Sequence, residues 1–242
     1  MNRLERSLWT REIDKRDLSI EEIERLMRYA DDLTKGRTQI RQHEEGVSIF
    51  GSARTSEGDP DYEKARELGR KLAEAGQVVI TGGGGGIMEA GNRGAYEAGG
   101  VSIGLNIKLP FEQSLNQYTT DSLEFNYFFA RKVMLVDAAK VFVYFSGGFG
   151  TLDEFSEVMT LFQTNKATKA PIFLVGSDYW GTFDKMVREI MLPAGYISPE
   201  DVDLYKITDD LDEIVAAAKN MHGRKVGDVV DAREYSDFSS PT

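Results

Sequence analysis

The chain has 242 residues, 41% hydrophobic and 10% aromatic, which suits one α/β domain with appendages, and its formal charge of -11 argues against a general nucleic-acid binder. It has no cysteine and two histidines, His43 and His222, which rules out a disulfide framework, a thiolate nucleophile and a Cys- or His-rich metal centre. The charged N-terminus and the lack of any apolar run near ~18 residues predict a soluble, cytoplasmic protein with no membrane partner, and leave a small anionic ligand open.

Residues 1–16 show no clear period and read as an arm. Ser19-Ile20-Glu21-Glu22 has capping-box form, and Ile20, Ile23, Leu26, Met27, Ala30 and Leu33 recur at helical spacing. The pattern predicts an amphipathic helix packed on the main domain or on a partner subunit. Thr34 to Gly46 is polar and reads as either a solvated continuation of that helix or a linker. Val47 to Phe50 is the first buried strand, and Gly51-Ser52-Ala53-Arg54 follows it with hydroxyl and guanidinium donors, as an anion-binding turn or a plain solvent loop. A helix from Asp61 to Ala75 ends at Gly76, and Val78 to Ile80 is the next strand.

Thr81 then leads into five consecutive glycines, Gly82, Gly83, Gly84, Gly85 and Gly86, followed by Ile87 and Met88. A flexible linker would carry polar padding, whereas this run joins a strand directly to a helical pattern. It lacks the Gly-Lys-Ser/Thr ending of a triphosphate-binding loop. As a dinucleotide fingerprint it fails too, since the third glycine would fall on Ile87 or Met88. Val101 to Leu105 is a third strand, Asn106 to Tyr118 a long loop, and Leu123 to Ala139 an aromatic-rich helical stretch that should pack heavily. Within it, Arg131-Lys132 either lies on the outer face or directs Arg131 into a cleft with an anionic partner.

Val141 to Phe145 reads as a strand covered on both faces. The turn Ser146 to Glu154 follows, with Gly147, Gly148 and Gly150 permitting close approach of a ligand to the amides of the next helix start. Thr151 and Glu154 stand one turn apart, as a capping box or as a carboxylate poised beside an anion site. A helix over Thr151 to Gln163, a fifth strand at Pro171 to Val175, a helix at Trp180 to Met191, a short strand at Tyr205 to Thr208 and a closing helix at Leu211 to Ala218 complete the pattern. The alternation predicts a Rossmann-like, doubly wound parallel sheet with helices on both faces. Its expected units are an arm and helix over 1–46, a nucleotide-binding domain over 47–222 and a polar tail over 223–242. The turns after the strands should converge at the carboxyl edge on one phosphate-bearing ligand.

Gly147-Gly148-x-Gly150-Thr151-x-x-Glu154, with Thr81 to Ala90 and Arg131-Lys132 in the same order, resembles the Lonely guy family. These are cytokinin-activating phosphoribohydrolases long mislabelled as lysine decarboxylases. The resemblance covers roughly Val47 to Asn220 and is to the longer, second type. It implies hydrolysis of the N-glycosidic bond of a purine nucleoside 5'-monophosphate, AMP or a cytokinin ribotide, without a cofactor, by a homodimer or higher homo-oligomer contacting through Phe125 to Val136. Arg131 and Glu154 match the family's catalytic pair. The implied substrate contacts are Gly51, Ser52, Arg54, Gly82, Gly83, Gly84, Gly85, Gly86, Met88, Lys132, Gly147, Gly148, Phe149, Gly150 and Thr151. The chain departs from the family at Ser146 and Gly85, where proline is usual or frequent. The rival is a non-catalytic nucleotide sensor or a molybdenum-cofactor carrier of the same fold. Lysine decarboxylation would need pyridoxal phosphate on a lysine, and Lys132 and Lys140 stand in no such context.

Overall fold

The computed structural model describes residues 18–43, 46–109 and 115–221. The expected arm, His222 and the polar tail lie outside the described residues. Seven strands form one sheet: β1 (Gly46–Phe50), β2 (Val79–Thr81), β3 (Ser102–Ile107), β4 (Asp121–Phe125), β5 (Ala139–Tyr144), β6 (Ile172–Leu174) and β7 (Lys206–Ile207). Their order is β4-β3-β2-β1-β5-β6-β7, and every neighbouring pair is parallel.

The central strands are apolar on both sides because both sides are covered. Along β5, Phe142 and Tyr144 join one hydrophobic cluster while Val141 and Val143 join the other, as the two-residue period of a strand requires. The first cluster is closed by α1 (Ile20–Ile40), α4 (Phe128–Asp137), α5 (Phe149–Gln163) and α6 (Ser177–Met186), through residues such as Ile40, Met134, Phe155 and Trp180. The second is closed by α2 (Pro60–Glu74), α3 (Ile87–Glu97) and α7 (Leu211–Asn220), through Leu68, Ala90 and Ile214. The chain runs outward from β1 to β4, then returns to β5 on the other side of β1. This reversal leaves a crevice at the carboxyl ends of β1 and β5, where open sheets of this kind take their ligands.

The structure corrects one expectation and decides between alternatives at others. Residues 121–125 form an edge strand, β4, so the strand at 172–174 is the sixth. Its partly exposed, polar-alternating Asp121-Ser122-Leu123-Glu124 pattern resembles the start of the following helix when burial is unknown. The segment 34–40 is helical, so α1 runs unbroken to Ile40 behind its Ser19–Glu22 capping box. The apolar stripe of α1 is open at its N-terminal end, where Ile20 and Met27 are 78% and 63% exposed, whereas Leu33 packs against the first cluster and Asp32, Gly36 and Ile40 are buried. Within α4 the aromatic content is likewise divided, with Met134 and Leu135 buried but Phe128, Phe129 and Val133 partly open. Among the described residues no helix is long and apolar enough to cross a membrane.

Candidate functional site

A cavity of about 470 Å³ opens at the β1/β5 crevice. Three turns line it: Gly51, Ser52, Ala53 and Arg54 after β1, Gly82 and Met88 around the glycine run, and Gly148 to Thr151 with Glu154 after β5. The turns also brace one another. Ser52 donates its amide to the Ser146 carbonyl at 3.0 Å, and the Ser52 carbonyl accepts from Ile87 N at 3.0 Å. Tyr179 Oη donates to Gly147 O at 2.6 Å, holding the β5 turn from outside.

At α5 the N-cap is Gly148, with no side-chain cap. Phe149, Gly150 and Thr151 therefore form the first turn, whose amides have no partner inside the helix and carry the positive end of its dipole to the cavity. This overturns the capping-box alternative, because Thr151 lies inside the helix and Glu154 bonds elsewhere. Arg131, from α4, donates Nη2 to Glu154 Oε1 at 2.8 Å, and the two side chains are only 10% and 16% exposed. Arg131 thus points into the cleft with an anionic partner, the second of its two sequence alternatives. Burial pushes the Glu154 carboxyl up to about 7, with the Arg131 charge opposing the rise. The Arg131 guanidinium lies 5.5 Å from the Phe128 ring centre, and its buried Nε has no hydrogen-bond partner among the described residues. A Cβ at Gly82 would come 3.3 Å from Arg131 Nη1, so a small residue there gives the guanidinium room.

The glycine run lies mostly behind the cavity wall. Gly83, Gly84, Gly85, Gly86 and Gly147 do not line the cavity. Gly83 and Gly84 are held from the interior: Gly83 N donates to Thr81 Oγ1, and Asn116 Nδ2 donates to Gly84 O and to Asn92 Oδ1, at 2.9, 3.0 and 2.9 Å. This buried Thr81–Asn92–Asn116 network escaped the sequence reading, since isolated polar residues inside apolar segments carry no local signal. The apolar walls, Phe50, Ile107, Leu109 and Phe128, escaped it as site residues too. Phe50 and Ile107 end their strands at the carboxyl edge, so topology alone could have found them.

Lys132 is also separate from the cavity. Its ammonium binds Asp153 at 3.1 Å and Glu157 at 3.3 Å on α5. Lys132 does not line the cavity, because helical spacing turns residue 132 about 100° from residue 131. Replacing Lys132 with Met should accordingly leave the KM for a nucleotide within about twofold, since no ligand contact is lost; steady-state kinetics check this, and a tenfold rise would return Lys132 to the site.

The model of the family described as possible lysine decarboxylase matches residues 88–218. The chain belongs to this family, the Lonely guy family. A Lonely guy relative from Mycobacterium tuberculosis, named cytokinin riboside 5'-monophosphate phosphoribohydrolase, is 30% identical over 159 residues, 64% of this chain and 83% of the relative. One of the same name from Rhodococcoides fascians is 22% identical over 185 residues, 75% of this chain and 93% of its own. Among solved structures, the molybdenum cofactor binding protein of Rippkaea orientalis superposes with TM-score 0.55 at 20% identity, covering 72% of this chain and 94% of its own. The molybdenum cofactor carrier protein of Chlamydomonas reinhardtii gives 0.53 at 24%, covering 73% and 97%. At these identities the two structures establish the shared Rossmann-like fold. Although the family is described as possible lysine decarboxylase, no lysine lines the cavity among the described residues, so a pyridoxal phosphate Schiff base would have no anchor there.

Proposed function

We propose that the protein hydrolyses the N-glycosidic bond of a purine nucleoside 5'-monophosphate, releasing free base and ribose 5-phosphate. The observation that carries this reading is the Arg131–Glu154 pair set beside the N-terminus of α5 in one cavity. The relatives named as phosphoribohydrolases support it.

In this reading the 5'-phosphate sits against the amides of Gly148 to Thr151, with Ser52, Arg54 and the Thr151 hydroxyl within the same cavity wall. The base lies towards Phe50, Ile107, Leu109 and Phe128, an apolar surface suited to a flat heteroaromatic ring. Water attacks the anomeric carbon as the bond from that carbon to the base nitrogen breaks, the bonding pair leaving with the base. The sugar passes through an oxocarbenium-like state, and the Glu154 carboxylate stabilises its positive charge and takes the proton of the attacking water. That proton finally reaches the departing base. Arg131 holds Glu154 in place and keeps part of it ionised against the effect of burial.

The test is incubation with a panel of nucleoside 5'-monophosphates, with free base and ribose 5-phosphate followed by chromatography. Release from AMP or an N6-substituted analogue is expected, and ribosides without the phosphate should react poorly because they lose the α5 contact. Tight binding with no base released from any member would replace hydrolysis with the carrier or sensor reading.

A further inference from the structure

Helix α1 lies outside the segment matched by the family model, yet it is joined closely to the helix that carries Arg131. Asp32 is 2% exposed. Its carboxylate accepts from Asn126 N at 2.7 Å, Asn126 Nδ2 at 2.8 Å and Tyr127 N at 3.1 Å. Tyr127 is the N-cap of α4, which has no side-chain cap of its own and no acidic residue in its first turn. The buried carboxylate therefore stands where the positive end of α4 needs an anion, and charge-assisted bonds from three amides hold it there.

The contact continues along α4. A Cβ at Gly36 would fall 2.4 Å from Met134 Cγ and 2.9 Å from Phe125 Cε1, so a larger residue there would have to displace these side chains. At the far end Arg37 pairs with Asp137 at 2.9 Å. Tyr29 packs edge-on against both Tyr127 and Phe129, with ring centres at 4.5 and 5.0 Å. From the clamp to the chemistry the path is short: Tyr127 O accepts from Arg131 N at 3.2 Å, and Arg131 reaches Glu154.

We infer that Asp32 is a positioning residue, through which the N-terminal helix fixes α4 and so sets Arg131 against Glu154. In relation to activity the inference rests on the proposed hydrolysis; the clamp itself does not. The Asp32 carboxylate binds the lead-in residues of α4, so its loss frees the first turns of that helix, which carry Phe128 and Arg131, while deleting no cavity-lining side chain. Misplacing a catalytic pair by even an ångström costs far more in turnover than in ground-state binding.

The experiment compares wild type, Asp32→Ala and Asp32→Asn by hydrogen exchange and by kinetics with AMP. In Asp32→Ala, amides over residues 126–137 should exchange roughly tenfold or more faster while those over 149–163 keep their protection. The kcat should fall roughly ten- to hundredfold with KM little changed. Asp32→Asn retains an acceptor oxygen and should recover part of both. Unchanged exchange over 126–137 in Asp32→Ala overturns the clamp, and faster exchange with undiminished kcat overturns the positioning role. Should wild type release no base, the hydrolysis reading fails separately; the clamp is then judged by exchange alone, where faster exchange over 126–137 in Asp32→Ala supports it and unchanged exchange sinks it.

Discussion

Glu154→Gln should lower kcat by roughly 10²–10⁴-fold, the range expected for loss of a positioned proton-transfer group, while the affinity for AMP stays within a few-fold of wild type. The substitution keeps the shape of the side chain and an oxygen for Arg131 Nη2, so the ion-pair geometry at 2.8 Å is the feature least disturbed. In the proposed hydrolysis, what disappears is the negative charge that a developing oxocarbenium needs and the base that water needs. Calorimetry and base-release kinetics on the same preparation read the two effects separately. Undiminished turnover would remove Glu154 from the mechanism.

The same carboxylate predicts the pH dependence. Burial lifts it from the usual 4.5 to about 7, so the ionised form that the proposed hydrolysis requires is lost as pH falls through 7. The acidic limb of kcat/KM should therefore lie near 7, above the second ionisation of the substrate phosphate, which falls near 6. The linkage to stability has the opposite sense. A carboxyl whose folded pKa is raised contributes stability that is fully present below 4.5 and lost as pH rises through about 7. The rise from 4.5 to about 7 corresponds to about 3 kcal/mol. A Glu154→Gln protein should lack that slope, as denaturation curves at pH 5 and pH 8 would reveal.

The second large effect is structural in origin and reaches the site indirectly. Gly86→Ala should destabilise the protein by about 2–4 kcal/mol, combining backbone strain with overpacking. Gly86 has φ 65° and ψ -131°, a combination side chains do not tolerate, and its Cβ would lie 2.2 Å from the Ser52 carbonyl oxygen. That oxygen already accepts from Ile87 N, so the collision falls on the joint between the β1 turn and the start of α3. Urea unfolding should show a lower midpoint at unchanged slope, and AMP affinity should fall as Ser52 and Arg54 are displaced. A midpoint equal to wild type would mean that the two turns can separate at little cost.

The placement of Gly86 also shows how the glycine run was legible and how it was not. Five glycines between a strand and a helix announce close backbone approach, and that much is correct. The partner they approach is chiefly protein: Gly86 meets Ser52 and Ala53, Gly83 meets Gly104, and Gly82 leaves room for Arg131. Composition cannot distinguish a glycine that admits a ligand from one that admits another loop.

The alternation of β-branched runs with amphipathic segments determined the doubly wound sheet, because a parallel strand buried on both faces needs continuous apolar sequence and a helical crossover. The motifs Gly147 to Glu154 and Thr81 to Ala90 determined the family. Local pattern left several questions that only the tertiary structure decided. Whether Glu154 caps its helix or faces a cation depends on where α4 lies, and it faces Arg131. The separation of Arg131 from Lys132, one in the cavity and one on Asp153 and Glu157, depends on the rotation of α4 against α5. Edge strand β4 forms because β3 is there to pair with it. Asp32 acquires its role from the amides of residues 126 and 127, 94 and 95 positions further along the chain, a distance that no local periodicity spans.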